Sequence, residues 1–204
     1  SADLAGPETP VTGAAAGALS DARLVIGNRT LVLPPGAWVL AATSQETVRG
    51  SSMRNAVSRT NDVTVLTHHA YAVERDRLSA VATFSANPKQ AYGTSWWMAD
   101  VPCKMPDAVV LERFNSPFDQ PECLSVRVVD RATAAALAAL EPALHAARAA
   151  GATLPAASYE VHYVRYGLDW VVASTWLLPM QRVAGDLAAV QWALALAEGL
   201  RPLG

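Results

Sequence analysis

Alternation of apolar and polar residues predicts β-strands along most of the first half of the chain. Residues 24–26 and 30–33 flank Gly27-Asn28, which supplies the positive φ that a two-residue hairpin turn demands. Residues 62–87 predict a second antiparallel hairpin that turns near residues 74–77. Between these hairpins, residues 38–42 predict a short strand, and the polar stretch 44–61 predicts a long loop or a wide hairpin connection.

The second half of the chain mixes helical spacing with further strands. A helix is predicted from Asp130 to near Gly151, and Pro142 is expected to kink it or split it in two. A last helix is predicted from Asp186 to Glu198, with Gly199 as its stop signal. Four strands complete the pattern, at residues 108–114, 124–129, 159–166 and 170–178.

This order of elements determines the predicted fold class. No closely spaced βαβ alternation occurs, which disfavours a doubly wound parallel sheet. We therefore predict an α+β fold, in which a mainly antiparallel meandering sheet carries the two C-terminal-half helices packed on one face. Residues 1–20 are small and flexible and predict a disordered lead-in or linker, and residues 21–204 predict one domain.

Composition narrows the classes of partner. The 204 residues are 51% hydrophobic and 17% charged, and the latter share is below the roughly 25% of a typical soluble domain. A formal net charge of -2 without basic clusters argues against nucleic-acid binding. No stretch reaches the ~18 apolar residues that a transmembrane helix needs, and no cofactor motif, such as a phosphate-binding glycine loop, is present.

The two cysteines lie in one proline-punctuated region. We predict a disulfide between Cys103 and Cys123, which an oxidising compartment would allow; the alternative is two reduced thiols in the cytosol. The chain opens without the basic start and apolar segment of a secretory signal, as either an already processed export product or a truncated chain would.

Histidines are the first candidates for chemistry. Neighbours on a strand point to opposite faces, so His68 and His69 should not chelate one metal together. His69 could instead join a site with His162 and nearby carboxylates, although zinc needs further ligands that no motif supplies. Glu160 places a charge on a predicted strand, where it could pair across the sheet, line a cleft or face solvent. Structural histidines are the simpler interpretation.

Aromatic residues are the second candidates. If strand residues Tyr159, Tyr163 and Trp176 faced one way, they could build an apolar pocket, to which Trp96 and Trp97 are further candidates. Aromatic side chains on strands more commonly belong to the core or to cross-strand pairs. The last helix is apolar on nearly all sides, so it is either sandwiched or packs on a partner, and a homodimer through it is one expectation.

Three local patterns are familiar in combination: residues 33–38, the segment from Trp96-Trp97 to Cys103, and residues 147–155. In these the chain resembles an uncharacterised group of exported bacterial proteins from GC-rich genomes. The resemblance implies a periplasmic or otherwise extracytoplasmic location, and it carries no functional residue over to this chain.

Two hypotheses about function follow. The first is a non-enzymatic envelope or secreted domain that binds a protein partner or an apolar ligand, because the chain is apolar and holds no catalytic motif. The alternative is a hydrolase or a metal-dependent enzyme with its site around His69 and His162.

Overall fold

The computed structural model describes residues 17–54, 57–91, 94–95, 108, 110–115, 122–130, 138–167 and 169–203. The strands are β1 (Gly17–Ala18), β2 (Arg23–Ile26), β3 (Arg29–Val32), β4 (Trp38–Arg54), β5 (Val57–Glu74), β6 (Arg77–Ala86), β7 (Thr94–Ser95), β8 (Val110–Asn115), β9 (Glu122–Asp130), β10 (Ala157–Tyr166) and β11 (Val171–Pro179). The helices are α1 (Glu141–Ala149) and α2 (Asp186–Leu200). Neither is long and apolar enough to cross a membrane, and the same holds for every helix in the described ranges.

One antiparallel sheet dominates the molecule, so the α+β prediction is confirmed. Its strand order is β1-β4-β5-β6-β11-β10-β9-β8, and β7 also pairs with β4. Strands β2 and β3 form a separate two-stranded sheet, which is the predicted first hairpin. The second predicted hairpin is β5 and β6, with residues 75 and 76 in its turn.

The two helices pack on opposite faces of the sheet, which corrects the expectation that both share one face. Helix α1 inserts Ala143, Leu144 and Ala147 against a face that presents Tyr71 and Leu177, and we call this the α1 face. The opposite α2 face packs against α2 and the β2–β3 hairpin; the sheet residues in that core include Trp38, Ala70, Ala82, Tyr159, Val161, Tyr163 and Trp176. Since neighbouring strand residues point to opposite faces, each central strand contributes to two cores.

Several boundaries differ from the predictions. The polar stretch 44–61 belongs mostly to strands β4 and β5, which pair along their length up to Arg54 and Val57. Pro142 lies in the first turn of α1, where its missing N–H costs nothing, rather than at a kink inside the helix. Helix α2 continues through Gly199 to Leu200. Within the predicted lead-in, Gly17–Ala18 pairs with β4, and residues 1–16 lie outside the described residues.

Candidate functional site

A row of polar side chains crosses the α1 face of the sheet. Residues directly opposite each other in an antiparallel pair share a face, and the register aligns one polar residue from each of five neighbouring strands. In spatial order this polar row consists of Ser125, His162, Thr175, Thr83 and His69. Three of them are buried and two are half-buried. Buried polar groups are informative because they cost free energy unless they are hydrogen-bonded.

A partly buried ion pair lies beside the polar row. The Glu160 carboxylate is 1% exposed and accepts hydrogen bonds from Nε and Nη2 of Arg127 at 3.0–3.1 Å. Arg127 is directly opposite Glu160 on β9, so the two side chains leave the sheet on the same face. The bidentate geometry and the opposite charge offset the desolvation of a carboxylate that would otherwise be strongly unfavourable.

His162 joins this ion pair to the polar row. Its Nε2 contacts Oε1 of Glu160, which is two residues away on the same strand, and its Nδ1 lies 3.0 Å from Oγ1 of Thr175. A carboxylate only accepts hydrogen bonds, so Nε2 is the nitrogen that donates to Glu160, and in the tautomer that carries its proton there, Nδ1 accepts the hydroxyl proton of Thr175. We call this arrangement the Thr175–His162–Glu160 relay. Chemically, it can take a proton from the threonine hydroxyl.

His69 and His162 lie on one face but are too far apart to form one site. Strands β5 and β10 are separated by three inter-strand steps, or roughly 14 Å at ~4.8 Å per step. A metal ion reaches an imidazole nitrogen at about 2 Å, so the two rings cannot hold the same ion. In the part of the chain that the structure describes, no group of three potential metal-ligating residues occurs.

His68 points to the α2 face, opposite to His69, as expected of strand neighbours. Its cross-strand partners are Thr43 and Phe84, and Nδ1 lies 2.9 Å from Oγ1 of Thr43. Burial, with a smaller contribution from His69, lowers the pKa of His68 to about 4. Burial also lowers the pKa of His69. Both rings are therefore neutral at pH 7 and belong to the interior.

The aromatic candidates face one way, as the hypothesis required, but they fill the core. Tyr159, Tyr163 and Trp176 are all fully buried on the α2 face. The Trp176 ring makes edge-on contacts with Trp38 and Trp192 at centroid distances of 5.8 and 5.7 Å. The simpler interpretation of these residues as core therefore holds. Trp96 and Trp97 lie outside the described residues.

Glu122 forms a second buried acidic centre on the α2 face. It accepts a hydrogen bond from the Tyr163 hydroxyl at 2.8 Å and another from Nε of Arg201 at 2.6 Å. Burial and the bond to Glu122 raise the pKa of Tyr163 far above its usual value. These contacts fasten the end of α2 to the sheet, so we interpret this centre as structural.

A cavity of about 260 Å³ lies between α1 and the sheet. Its apolar wall is formed by Val129, Leu144, Leu154, Pro155, Ala156 and Leu177. Its polar lining residues are Asp130, Ser158, and Glu141 and Arg148, which form a 3.0 Å ion pair at the exposed surface of α1. A second cavity of about 350 Å³ opens on the α2 face beside Trp38, Trp192 and the Pro34-Pro35-Gly36 loop.

The sequence singles out His162 as a candidate and Glu160 as a strand charge that could pair or face solvent, but it does not reveal their partners or the cavity. Arg127 and Thr175 are distant from them in sequence, and only the strand register brings the four side chains together. The cavity combines residues of β9, α1, β11 and the segment before β10, and no local pattern encodes that combination.

Comparisons of the chain with family models, curated proteins and solved structures found no match.

Proposed function

We propose that this protein is an envelope or secreted domain that binds an apolar or amphiphilic ligand in the cavity under α1. The observation that carries the proposal is the lining of that cavity, in which six apolar side chains form most of the wall, and Asp130, Ser158 and the Glu141–Arg148 pair at the surface supply the polar groups. Ligand sites in proteins commonly combine an apolar wall with a few polar groups. An empty apolar cavity of ~150 Å³ already admits benzene, so this volume suits a short alkyl chain or a small ring system.

The way α1 is attached supports this choice over the cavity on the α2 face. Helix α1 has nine residues and buries only Ala143, Leu144 and Ala147. Helix α2 has fifteen residues, and its C-terminal end is held by the Arg201–Glu122 pair. Because α1 is shorter and buries three residues where α2 buries five, its opening exposes fewer buried side chains, and ligand sites are drawn from regions that open at low free-energy cost.

Titration with N-phenyl-1-naphthylamine, a neutral apolar dye, tests the proposal. Ala156 lines the cavity from an exposed position, so Ala156→Trp fills the space without disturbing the core. We expect this variant to weaken dye binding about tenfold or more, as the loss of ~1.4 kcal/mol of contact predicts. Ala184→Trp places the same ring at an exposed site outside the cavity and should bind like the wild type. Unchanged affinity in Ala156→Trp would reject the cavity as the site.

The extracytoplasmic location is part of the same proposal and depends on the Cys103–Cys123 disulfide. Cys123 is buried in β9 beside Val164, and Cys103 lies outside the described residues. Thiol titration of the denatured, non-reduced protein should find no free thiol; two free thiols per chain would reject both the bridge and the compartment.

We also propose that the protein forms a homodimer through α2. Leu187 is 71% exposed and Leu194 is 37% exposed on this helix. Residues seven apart lie on the same side of a helix, so the two leucines form one apolar surface that a second copy would cover.

A further inference from the structure

We propose that Thr175 is a nucleophile for the hydrolysis of carboxylic esters, with His162 as its general base. The substrate class is an ester whose apolar acyl chain occupies the cavity under α1, and this part rests on the proposed function. The nucleophile itself stands on the relay geometry alone. An activated hydroxyl requires a base within hydrogen-bond reach and a third group that orients the base.

The relay meets these requirements. The Thr175 hydroxyl lies 3.0 Å from Nδ1 of His162, and Glu160 holds the opposite nitrogen of the ring. Arg127 fixes both oxygens of Glu160, so the carboxylate cannot turn away from the imidazole. Thr175 and His162 are half-buried, which leaves them reachable, while the Glu160 carboxylate that orients the ring is 1% exposed.

The relay and the cavity are neighbours on one strand. Leu177 lines the cavity, and Thr175 is two residues earlier in β11 on the same face. Two residues of an extended strand span about 7 Å. An acyl chain that lies in the cavity against Leu177 can therefore place its ester carbonyl beside the threonine hydroxyl. Ala156 and Leu144 would limit how far the chain extends.

The reaction requires no reagent other than water. Oγ1 of Thr175 attacks the carbonyl carbon and forms a C–O bond while its proton passes to Nδ1 of His162. The ester C–O bond breaks, and the leaving alkoxide takes that proton from the imidazolium as it departs as an alcohol. Water then attacks the acyl-threonine, gives a proton to His162 and releases the carboxylic acid, and Thr175 recovers its proton.

A purely structural network would also pair these residues. The test must therefore distinguish a catalytic role of the relay from a structural one. Thr67 offers a matched control, because it lies on the same face and its hydroxyl is 2.7 Å from Oγ of Ser85. Thr175→Val and Thr67→Val each replace a hydroxyl by a methyl group of similar size, and both should remain folded. Only the first removes the proposed nucleophile.

The assay follows the hydrolysis of 4-nitrophenyl acetate and 4-nitrophenyl octanoate by the full chain. We expect Thr175→Val and His162→Asn to lower kcat/KM for both esters roughly a hundredfold or more, the usual contribution of a general base. Thr175→Ser should retain activity, Thr67→Val should match the wild type, and mass spectrometry should find the acyl group on Thr175. Wild-type hydrolysis no faster than the buffer rate, or equal rates in Thr175→Val and wild type, would overturn the proposal.

A further variant separates this inference from the proposed function. Ala156→Trp should lower kcat/KM for the octanoate much more than for the acetate, because only the long chain reaches into the cavity. If it changes neither ester while Thr175→Val abolishes both activities, the nucleophile stands and the cavity is rejected as the acyl site.

Discussion

His68 shows, at the residue scale, how burial sets the properties of a titratable side chain. Its ring is 1% exposed, and its pKa is about 4, compared with ~6.5 for a solvated histidine. The unfolded chain therefore binds a proton at a higher pH than the folded chain does. The stability that this group contributes is complete above pH ~6.5 and is lost as the pH falls through that value towards 4.

We predict that His68 accounts for a measurable part of the acid sensitivity of the fold. The difference between the two pKa values corresponds to at most about 3 kcal/mol of unfolding free energy. In His68→Asn, which can still bond to Thr43, the loss of stability between pH 7.5 and 4.5 should shrink by part of this amount. Urea unfolding at the two pH values measures it. His145→Asn changes an exposed ring and serves as the control; an equal pH dependence in all three proteins would contradict the prediction.

Single residues of the candidate site were partly predictable. Alternation along strands predicts that His68 and His69 face opposite ways, and the structure agrees. Alternation does not reveal which strands are neighbours, so the pairing of Glu160 with Arg127 and of His162 with Thr175 had no local signal. Charged and hydroxyl residues of a strand look the same in sequence whether they face solvent or a buried network.

At the scale of the elements, Gly27 shows most clearly how the backbone restricts the choice of residue. It begins the turn of the β2–β3 hairpin with φ +60°, and a Cβ there would lie 2.2 Å from the carbonyl oxygen of Pro88. Two effects therefore disfavour any residue other than glycine at position 27. The left-handed conformation costs about 1–2 kcal/mol for an L-residue, and the clash with rigid backbone adds to it. The hairpin must shift away from the loop after β6 to relieve the contact.

We predict that Gly27→Ala destabilises the fold by more than the conformational cost alone, about 2 kcal/mol or above. Gly151→Ala is the matched control, because Gly151 also has positive φ, +86°, but a Cβ added there would meet nothing within 4 Å. That variant should lose only about 1 kcal/mol. Urea unfolding free energies compare the two. Equal losses would show that the contact with Pro88 does not constrain the hairpin.

The type of each helix or strand was predicted better than its boundaries. Both hairpins were found at their turn signals, and α1 ends close to Gly151 as predicted, but Asp130, the predicted start of that helix, lies in β9, and α1 begins at Glu141. Residues 44–61 were treated as a polar connection, yet cross-strand pairing makes most of them strand. Backbone hydrogen bonds to a neighbour stabilise such a segment even when its side chains are too polar to predict burial.

The arrangement of the whole molecule follows from a sheet that buries both faces. Leu177 contacts the α1 side, and its neighbour Trp176 contacts the α2 side, so the central strands are apolar on both faces. A sequence pattern shows that a strand is two-sided but does not show which helix covers which side. The prediction of one helical layer failed for this reason, and the α1 face is where the polar row and the cavity meet.

The apolar surface that α2 presents to solvent predicts that two copies of the chain associate. Its inner side buries Ala189, Ala193 and Leu196 against the sheet, while Leu187 and Leu194 stay exposed on the outside. If a second copy covers these leucines, light scattering should give twice the chain mass at high concentration. The double variant Leu187→Glu, Leu194→Glu should be monomeric, because each charge would be desolvated in the interface.

The control for this prediction places the same charge on another exposed apolar residue. Val25 is 49% exposed on β2, so Val25→Glu should leave the dimer intact if α2 alone forms the interface. The monomeric double variant should keep its secondary structure, because both leucines are already exposed within one chain and their replacement removes little buried apolar area. A wild-type mass equal to one chain at every concentration would contradict the dimer. Dissociation of Val25→Glu as well would show that the interface extends to the hairpin, which lies on the same face of the sheet as α2.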